Sequence, residues 1–154
     1  MPNDEMILLK GITGFWGADT ETPPLLDEKA FRQMCHALVR ESGGTVTETD
    51  TDTDTSARNF YFAELRRYDD AIFLLQNIHY PYVAFARKDP SGGFDWISRP
   101  EWLRLPDGPV RFLGPDELTQ DWHSLCGELS MEELEQIRYW NPQTVGEIIF
   151  NTWD

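Results

Sequence analysis

Between Arg58 and Lys88 the chain reads RNFYFAELRRYDDAIFLLQNIHYPYVAFARK, its longest apolar and aromatic stretch. Within it, residues 71–76 (AIFLLQ) and 82–86 (YVAFA) are short unbroken apolar runs. In an extended strand, side chains alternate between faces, so Phe73 and Leu75 point one way and Ile72 and Leu74 the other. Apolar groups on both faces predict central strands covered on two sides. Residues 77–81 (NIHYP) are short enough for a hairpin loop, and Pro81, which cannot donate to a ladder, suits a turn or strand entry. Residues 59–65 form a third, Phe- and Tyr-rich strand, and the charged residues 66–70 suit a connection.

Before this stretch, residues 6–12 (MILLKGI) read as a first strand, followed by the glycine-punctuated GITGFWG, which places Phe15 and Trp16 against the core. Its glycine spacing is not that of a dinucleotide-binding turn, and Pro23 and Pro24 intervene before any helix. Residues 27–42 show the clearest helical period. Ala30, Phe31, Met34, Cys35, Leu38 and Val39 share one stripe, Asp27 is a fitting N-cap, and Gly43-Gly44 a stop. His36 faces outward. Cys35 lies on the apolar stripe, which makes it a buried, inert thiol.

Residues 94–97 read as a short strand with Phe94 and Trp96 on one face, residues 102–105 as at best a short edge, and residues 110–113 as the last strand. The remainder is helical. Pro115 opens a first turn with Asp116 and Glu117, and Leu118, Trp122 and Leu125 follow at helical spacing until Gly127. Ser130 and Glu133 form a capping box for a helix that turns Met131, Leu134, Ile137 and Trp140 inward. After Asn141-Pro142, residues 145, 148 and 149 give one more apolar face, with a strand at 147–151 as the alternative. The pattern predicts one α+β domain over residues 1–154. Its antiparallel sheet is a meander packed by one long N-terminal helix, with a C-terminal group of two or three short helices.

Charge changes this picture most. The chain carries 27 acids against 13 Lys and Arg, a net of -14, unevenly spread. Residues 1–57 hold 11 acids and 4 bases, residues 58–111 hold 7 and 8, and residues 112–154 hold 9 and 1. The sheet is near neutral and the negative charge flanks it. Such a field repels nucleic acid and anionic membrane and would attract a basic protein, the alternative being that it serves solubility alone. Aromatic residues make up 13% of the chain, which excludes global disorder. No apolar run reaches membrane-spanning length, and the acidic start with its short run at residues 6–9 predicts no secretory signal. Two cysteines make no disulfide framework, so the expected compartment is the cytoplasm.

Candidate chemistry is sparse. The run TVTETDTDTDTS places Asp50, Asp52 and Asp54 at positions 1, 3 and 5 of a calcium loop, but Thr55 stands where glycine is needed and Tyr61 where glutamate is needed. The expected structure over residues 47–56 is an exposed, mobile hairpin loop. Its acids Glu48, Asp50, Asp52 and Asp54 would be spaced about 7 Å apart on one side of an extended chain. Cys35, His36, His123 and Cys126 lack zinc-finger spacing. No nucleophile elbow, P-loop or zinc-protease motif occurs. The expectation is no metal, no cofactor and no catalytic set.

Binding residues are easier to nominate. Trp96 and Trp102 flank the broken segment around Pro100, where a groove with Arg99 and Arg104 could form. His79 sits among aromatics in its hairpin loop. The first functional expectation is a non-enzymatic acidic binding protein of inhibitor or immunity type, with a basic protein as partner. In composition and size alone the chain is similar to small acidic α+β proteins that block basic nuclease toxins. The alternative is a small enzyme or ligand-binding domain with an aromatic pocket and His79 as its base.

Overall fold

The structure is a computed structural model that describes residues 8–17, 22–49, 59–90, 94–104 and 110–153, without the side chains of residues 47–49. Five strands follow one another as an antiparallel meander: β1 (Thr45–Thr49), β2 (Phe60–Arg67), β3 (Asp70–Asn77), β4 (Tyr82–Lys88) and β5 (Phe94–Ile97). The sixth, β6 (Arg111–Leu113), lies beside β4 and parallel to it. Because β5 pairs only with residues 85–88 of β4, the edge at residues 82–84 is left for β6.

The sheet is buried on both faces, as the alternation in β3 requires. Phe73 and Leu75 with Ala84 and Ala86 belong to one core, and Ile72 and Leu74 with Val83 and Phe85 to the other. Helix α1 (Glu28–Ser42) covers the second face through Phe31, Cys35, Leu38 and Val39. Asp27 caps it by accepting from the Lys29 amide, and Gly43 ends it at φ 81. Ala30 falls off the stripe and is exposed.

The first face is covered by α2 (Pro115–Leu118), a 3-10 turn at His123–Leu125, α3 (Met131–Trp140) and α4 (Val145–Ile149). The expected continuous helix from Pro115 is therefore broken. The chain leaves α2 after four residues so that the Val145 amide can donate to the Gln120 carbonyl at 3.0 Å and the Trp122 indole to the Pro142 carbonyl at 3.0 Å. The tail at 145–149 is helical rather than extended, held by a Thr144–Glu147 capping box.

Several further expectations are corrected. Residues 8–12 form no strand: Lys10 to Thr13 is a turn, and Met6 and Ile7 lie outside the described residues. The cause is a pair of left-handed glycines, Gly11 at φ 90 and Gly14 at φ 87. At Gly11 even an added Cβ would lie 2.4 Å from the Pro23 side chain. Arg66 and Arg67 are still strand, and only Tyr68 and Asp69 make the β2–β3 turn, with Tyr68 at φ 55. Trp102 lies in a turn rather than an edge strand, and Leu105 lies outside the described residues. Met131 points outward at 75% exposure, and Trp140 is also exposed. Thr47–Thr49 belong to β1, whereas residues 50–58, which hold Asp50, Asp52 and Asp54, lie outside the described residues. No helix among the described residues is long and apolar enough to cross a membrane.

Candidate functional site

The residues nominated from sequence do not converge. Trp96 packs on the face covered by the C-terminal helices and Trp102 on the face covered by α1, so they cannot wall one groove. The Trp102 indole donates to Asp70 Oδ2 at 2.8 Å, and Arg87 Nη1 donates to Asp70 Oδ1 at 2.7 Å. The Arg87 guanidinium first, and the Trp102 indole second, hold the Asp70 carboxyl below the usual carboxylate range. Arg99 is exposed and donates to the carbonyls of Pro100 and Leu103, which closes its own turn. Arg104 is exposed.

His79 is buried at 5% exposure, with the Trp16 ring nearly perpendicular to it at 5.9 Å between centroids. Its Nδ1 lies 2.7 Å from the Pro24 carbonyl, which can only accept, so the proton sits on Nδ1. Burial lowers its pKa, opposed by that backbone bond and by the Glu133 charge. Cys35 lies under α1 while Cys126 and His123 lie with the opposite layer, and no metal-binding group of three or more such side chains occurs among the described residues. Burial pushes the Cys35 thiol up to about 12.

What the fold gathers instead is a buried polar clasp at the open end of the β2–β3 hairpin. Asn59 and Asn77 stand side by side there. The Asn77 amide donates to the carbonyls of Ile12 and Ile149 at 3.0 and 2.8 Å, and that of Asn59 donates to the Ile12 carbonyl at 2.6 Å. Asn77 Oδ1 accepts from the amides of His79 and Tyr80. The Asn151 amide reaches back to the carbonyls of Thr13 and Ile148. Glu133, fully buried, accepts from the Gly11 amide at 2.8 Å and from the Thr13 amide and hydroxyl at 3.1 and 2.6 Å. All of these contacts except that of the Thr13 hydroxyl satisfy a backbone group that would otherwise be buried unpaired. The clasp fixes the 8–15 loop and the 148–153 tail to one end of the sheet.

The pinned tail builds a groove of about 440 Å³ on the C-terminal face. Its floor is a mesh of rings: Phe60 meets Phe94 and Phe150 edge-on, at 6.1 and 6.2 Å, and Trp96 meets Phe150 at 5.3 Å. Trp140 and Trp153 line it too, their rings parallel to within 3° at 6.2 Å. Gly146 admits the Trp96 edge, since a Cβ there would lie 2.7 Å from the indole nitrogen. The carboxylates of Asp89 and Glu147 stand among the lining residues, and no described lining residue is basic. The nearby Lys88 ammonium lies over the Phe73 ring instead.

Of these residues only Trp96 was nominated from sequence. Glu133 reads as a helix cap, yet it lies one turn before Ile137 on the buried side of α3, and that spacing is the signal for its burial. Asn59, Asn77 and Asn151 carry no signal beyond a polar residue at a strand or helix end. No family model, curated protein or solved structure matches the chain.

Proposed function

We propose that the protein is a non-enzymatic binding module whose C-terminal layer docks a basic protein, in an inhibitor or immunity-type role. The observation that carries this reading is the asymmetry of charge between the two layers. Over residues 27–42, α1 and its cap hold three acids, Asp27, Glu28 and Glu41, against three bases, Lys29, Arg32 and Arg40. The opposite layer exposes Asp116, Asp121, Glu128, Glu132, Glu135 and Glu147, with Arg138 exposed among them and Arg111 tied to Glu117 at 3.0 Å. A one-sided negative field steers a basic partner to one face and raises its association rate. The alternative of a pocket built on His79 has less support, because the ring is covered by Trp16 and its Nδ1 is engaged by a backbone carbonyl.

The test is affinity capture from a lysate of the source cells, with cross-linking to identify the retained chain. The expected result is a basic protein held at low salt and lost at about 0.5 M salt, where the Debye length falls to several Å. Asp116→Asn, Glu128→Gln and Glu135→Gln together, all exposed, should abolish capture without altering the fold. Capture that survives both the salt and the triple variant would contradict the proposal, as would no capture at all.

A further inference from the structure

We propose that the aromatic groove beside the C-terminal tail docks a proline-rich segment of the basic partner, held in the extended polyproline II conformation. This rests on the reading above and says which part of the layer makes the specific contact. Three observations carry it. The first is shape: the groove is concave and about 440 Å³, within the range of pockets that enclose ligands, about 300 to 1,000 Å³. Six aromatic rings line it, Trp140 and Trp153 with their planes parallel to within 3°. The second is an unused donor. The indoles of Trp102, Trp122 and Trp140 donate within the chain, to Asp70, Pro142 and Gln136, but no hydrogen bond among the described residues uses the indole of Trp96. That nitrogen lies beside Gly146, where a Cβ would stand 2.7 Å from it. Arg67 Nε is the one buried side-chain nitrogen or oxygen left unpaired among the described residues, so the Trp96 N–H is open to solvent. The third is charge. Glu147 lines the groove, Glu135 is exposed one turn before Tyr139 on α3, and residues 112–154 carry 9 acids against 1 base.

Rings alone would suit any apolar side chain. An open indole N–H adds a requirement, because an indole can only donate: the ligand must bring an acceptor. A polyproline II segment meets both demands. It has no internal hydrogen bonds, so its carbonyls are free, and proline carries no N–H that the groove would have to pair. Its conformation is set before binding, which lowers the ordering cost, and aromatic-lined grooves are the surfaces on which such segments dock. Single-stranded nucleic acid also stacks on aromatic rings, but the acids of residues 112–154 repel its phosphates. The same acids favour a segment with basic residues at its ends, as expected of the partner proposed for this layer.

The probes are a hexaproline peptide amide with a lysine at each end, the same peptide with glycine and serine in place of the prolines, the hexaproline with glutamates at its ends, and oligothymidylate. Binding is followed by the indole N–H resonances of the folded protein. The expected result is a saturable shift of the Trp96, Trp140 and Trp153 signals with the lysine-flanked hexaproline, several-fold weaker binding of the glutamate-flanked form, and none of the glycine-serine peptide or oligothymidylate. Trp96→Phe keeps the ring and removes the N–H, and should weaken hexaproline binding about three- to tenfold at unchanged melting temperature. Equal binding of the glycine-serine peptide or of oligothymidylate would overturn the proposal, as would unweakened binding by Trp96→Phe or shifts confined to Trp16, Trp102 or Trp122. Captured partner provides the second arm. A partner retained equally by the parent and by a folded Trp140→Ala variant leaves the acidic-layer reading standing and overturns the proline site. Hexaproline binding with the expected selectivity supports the site even where no partner is captured, an outcome that counts against the acidic-layer reading alone.

Discussion

Replacing Glu133 by alanine removes the acceptor that ties the 8–15 loop to α3. In the parent, Oε1 accepts from the Gly11 amide, the Ser130 amide and the Ser130 hydroxyl, and Oε2 from the Thr13 amide and hydroxyl. The Ser130 groups are half-exposed and can turn to water, but Gly11 and Thr13 are buried. Three buried donors are then left without a partner. At about 1–3 kcal/mol for each orphaned group, less some recovery by rotation of the Thr13 hydroxyl and by water entering the vacated space, the loss should be about 3–5 kcal/mol. That is a large part of the whole stability of a typical domain, about 5–15 kcal/mol. Glu133→Gln should lose less, about 2–3 kcal/mol, because its one carbonyl oxygen can serve either side while its NH₂ faces a donor on the other. Ser130→Ala removes the hydroxyl of the helix cap, at about 1 kcal/mol. Urea unfolding followed by circular dichroism, with the slope checked for constancy, gives all three. If Glu133→Ala loses no more than Ser130→Ala, the carboxylate is only a helix cap and the loop is held by something else.

Three other outcomes follow from the same structure. The pKa of His79 is lowered by burial, so its neutral form stabilises the fold fully above the unfolded value of about 6.5, and that stability is lost as pH falls through the folded value. Thermal melts of the parent from about pH 7 to pH 5 should therefore fall more steeply than those of His79→Gln, and parallel curves would remove His79 from the acid response. Gly11→Ala combines a left-handed φ of 90 with a Cβ 2.4 Å from Pro23, and should cost about 2 kcal/mol or more; a wild-type melting temperature would show that this turn relaxes freely. An alkylating reagent at neutral pH should label partly exposed Cys126 and spare Cys35, which is buried and has its thiol pushed up to about 12, until the protein is unfolded. Labelling of native Cys35 would mean that α1 lifts from the sheet.

Much of the fold was legible because it rests on period. Apolar alternation on both faces of β3 and β4 foretold a sheet covered on two sides, and the stripe on α1 foretold one of its covers. Local chemistry was legible too: Asp27, Gly43 and the Ser130–Glu133 box act where they were expected. The failures have one physical source, which is that a short segment can serve a distant partner better than its own period. Residues 8–12 are apolar enough for a strand, yet two left-handed glycines turn them so that Ile12 and Thr13 present carbonyls to Asn59, Asn77 and Asn151. The helix from Pro115 stops early because its tail is bonded to residues 142–145. The groove on the C-terminal face is not the one expected around Pro100: Trp96 lines it, but Trp102 lies on the opposite face of the sheet. Its other walls come from the Trp140–Trp153 tail, which the long-range clasp through Asn151 and Asn77 and the packing of Phe150 on Trp96 bring to β5. No pattern within the tail itself carries that information.

The proposed contact lies between a basic protein and the C-terminal layer, not the α1 layer. Site-specific photocross-linking in the source cells tests it most directly. One protein carries benzoylphenylalanine at Tyr139, which is 77% exposed and packs edge-on to Trp140 at 5.2 Å; another carries it at His36, exposed on α1. The expected result is a discrete adduct from position 139 whose partner is rich in arginine and lysine, lost when Asp116→Asn, Glu128→Gln and Glu135→Gln are combined, and no adduct from position 36. An adduct from position 36 alone, or an acidic partner at position 139, would contradict it.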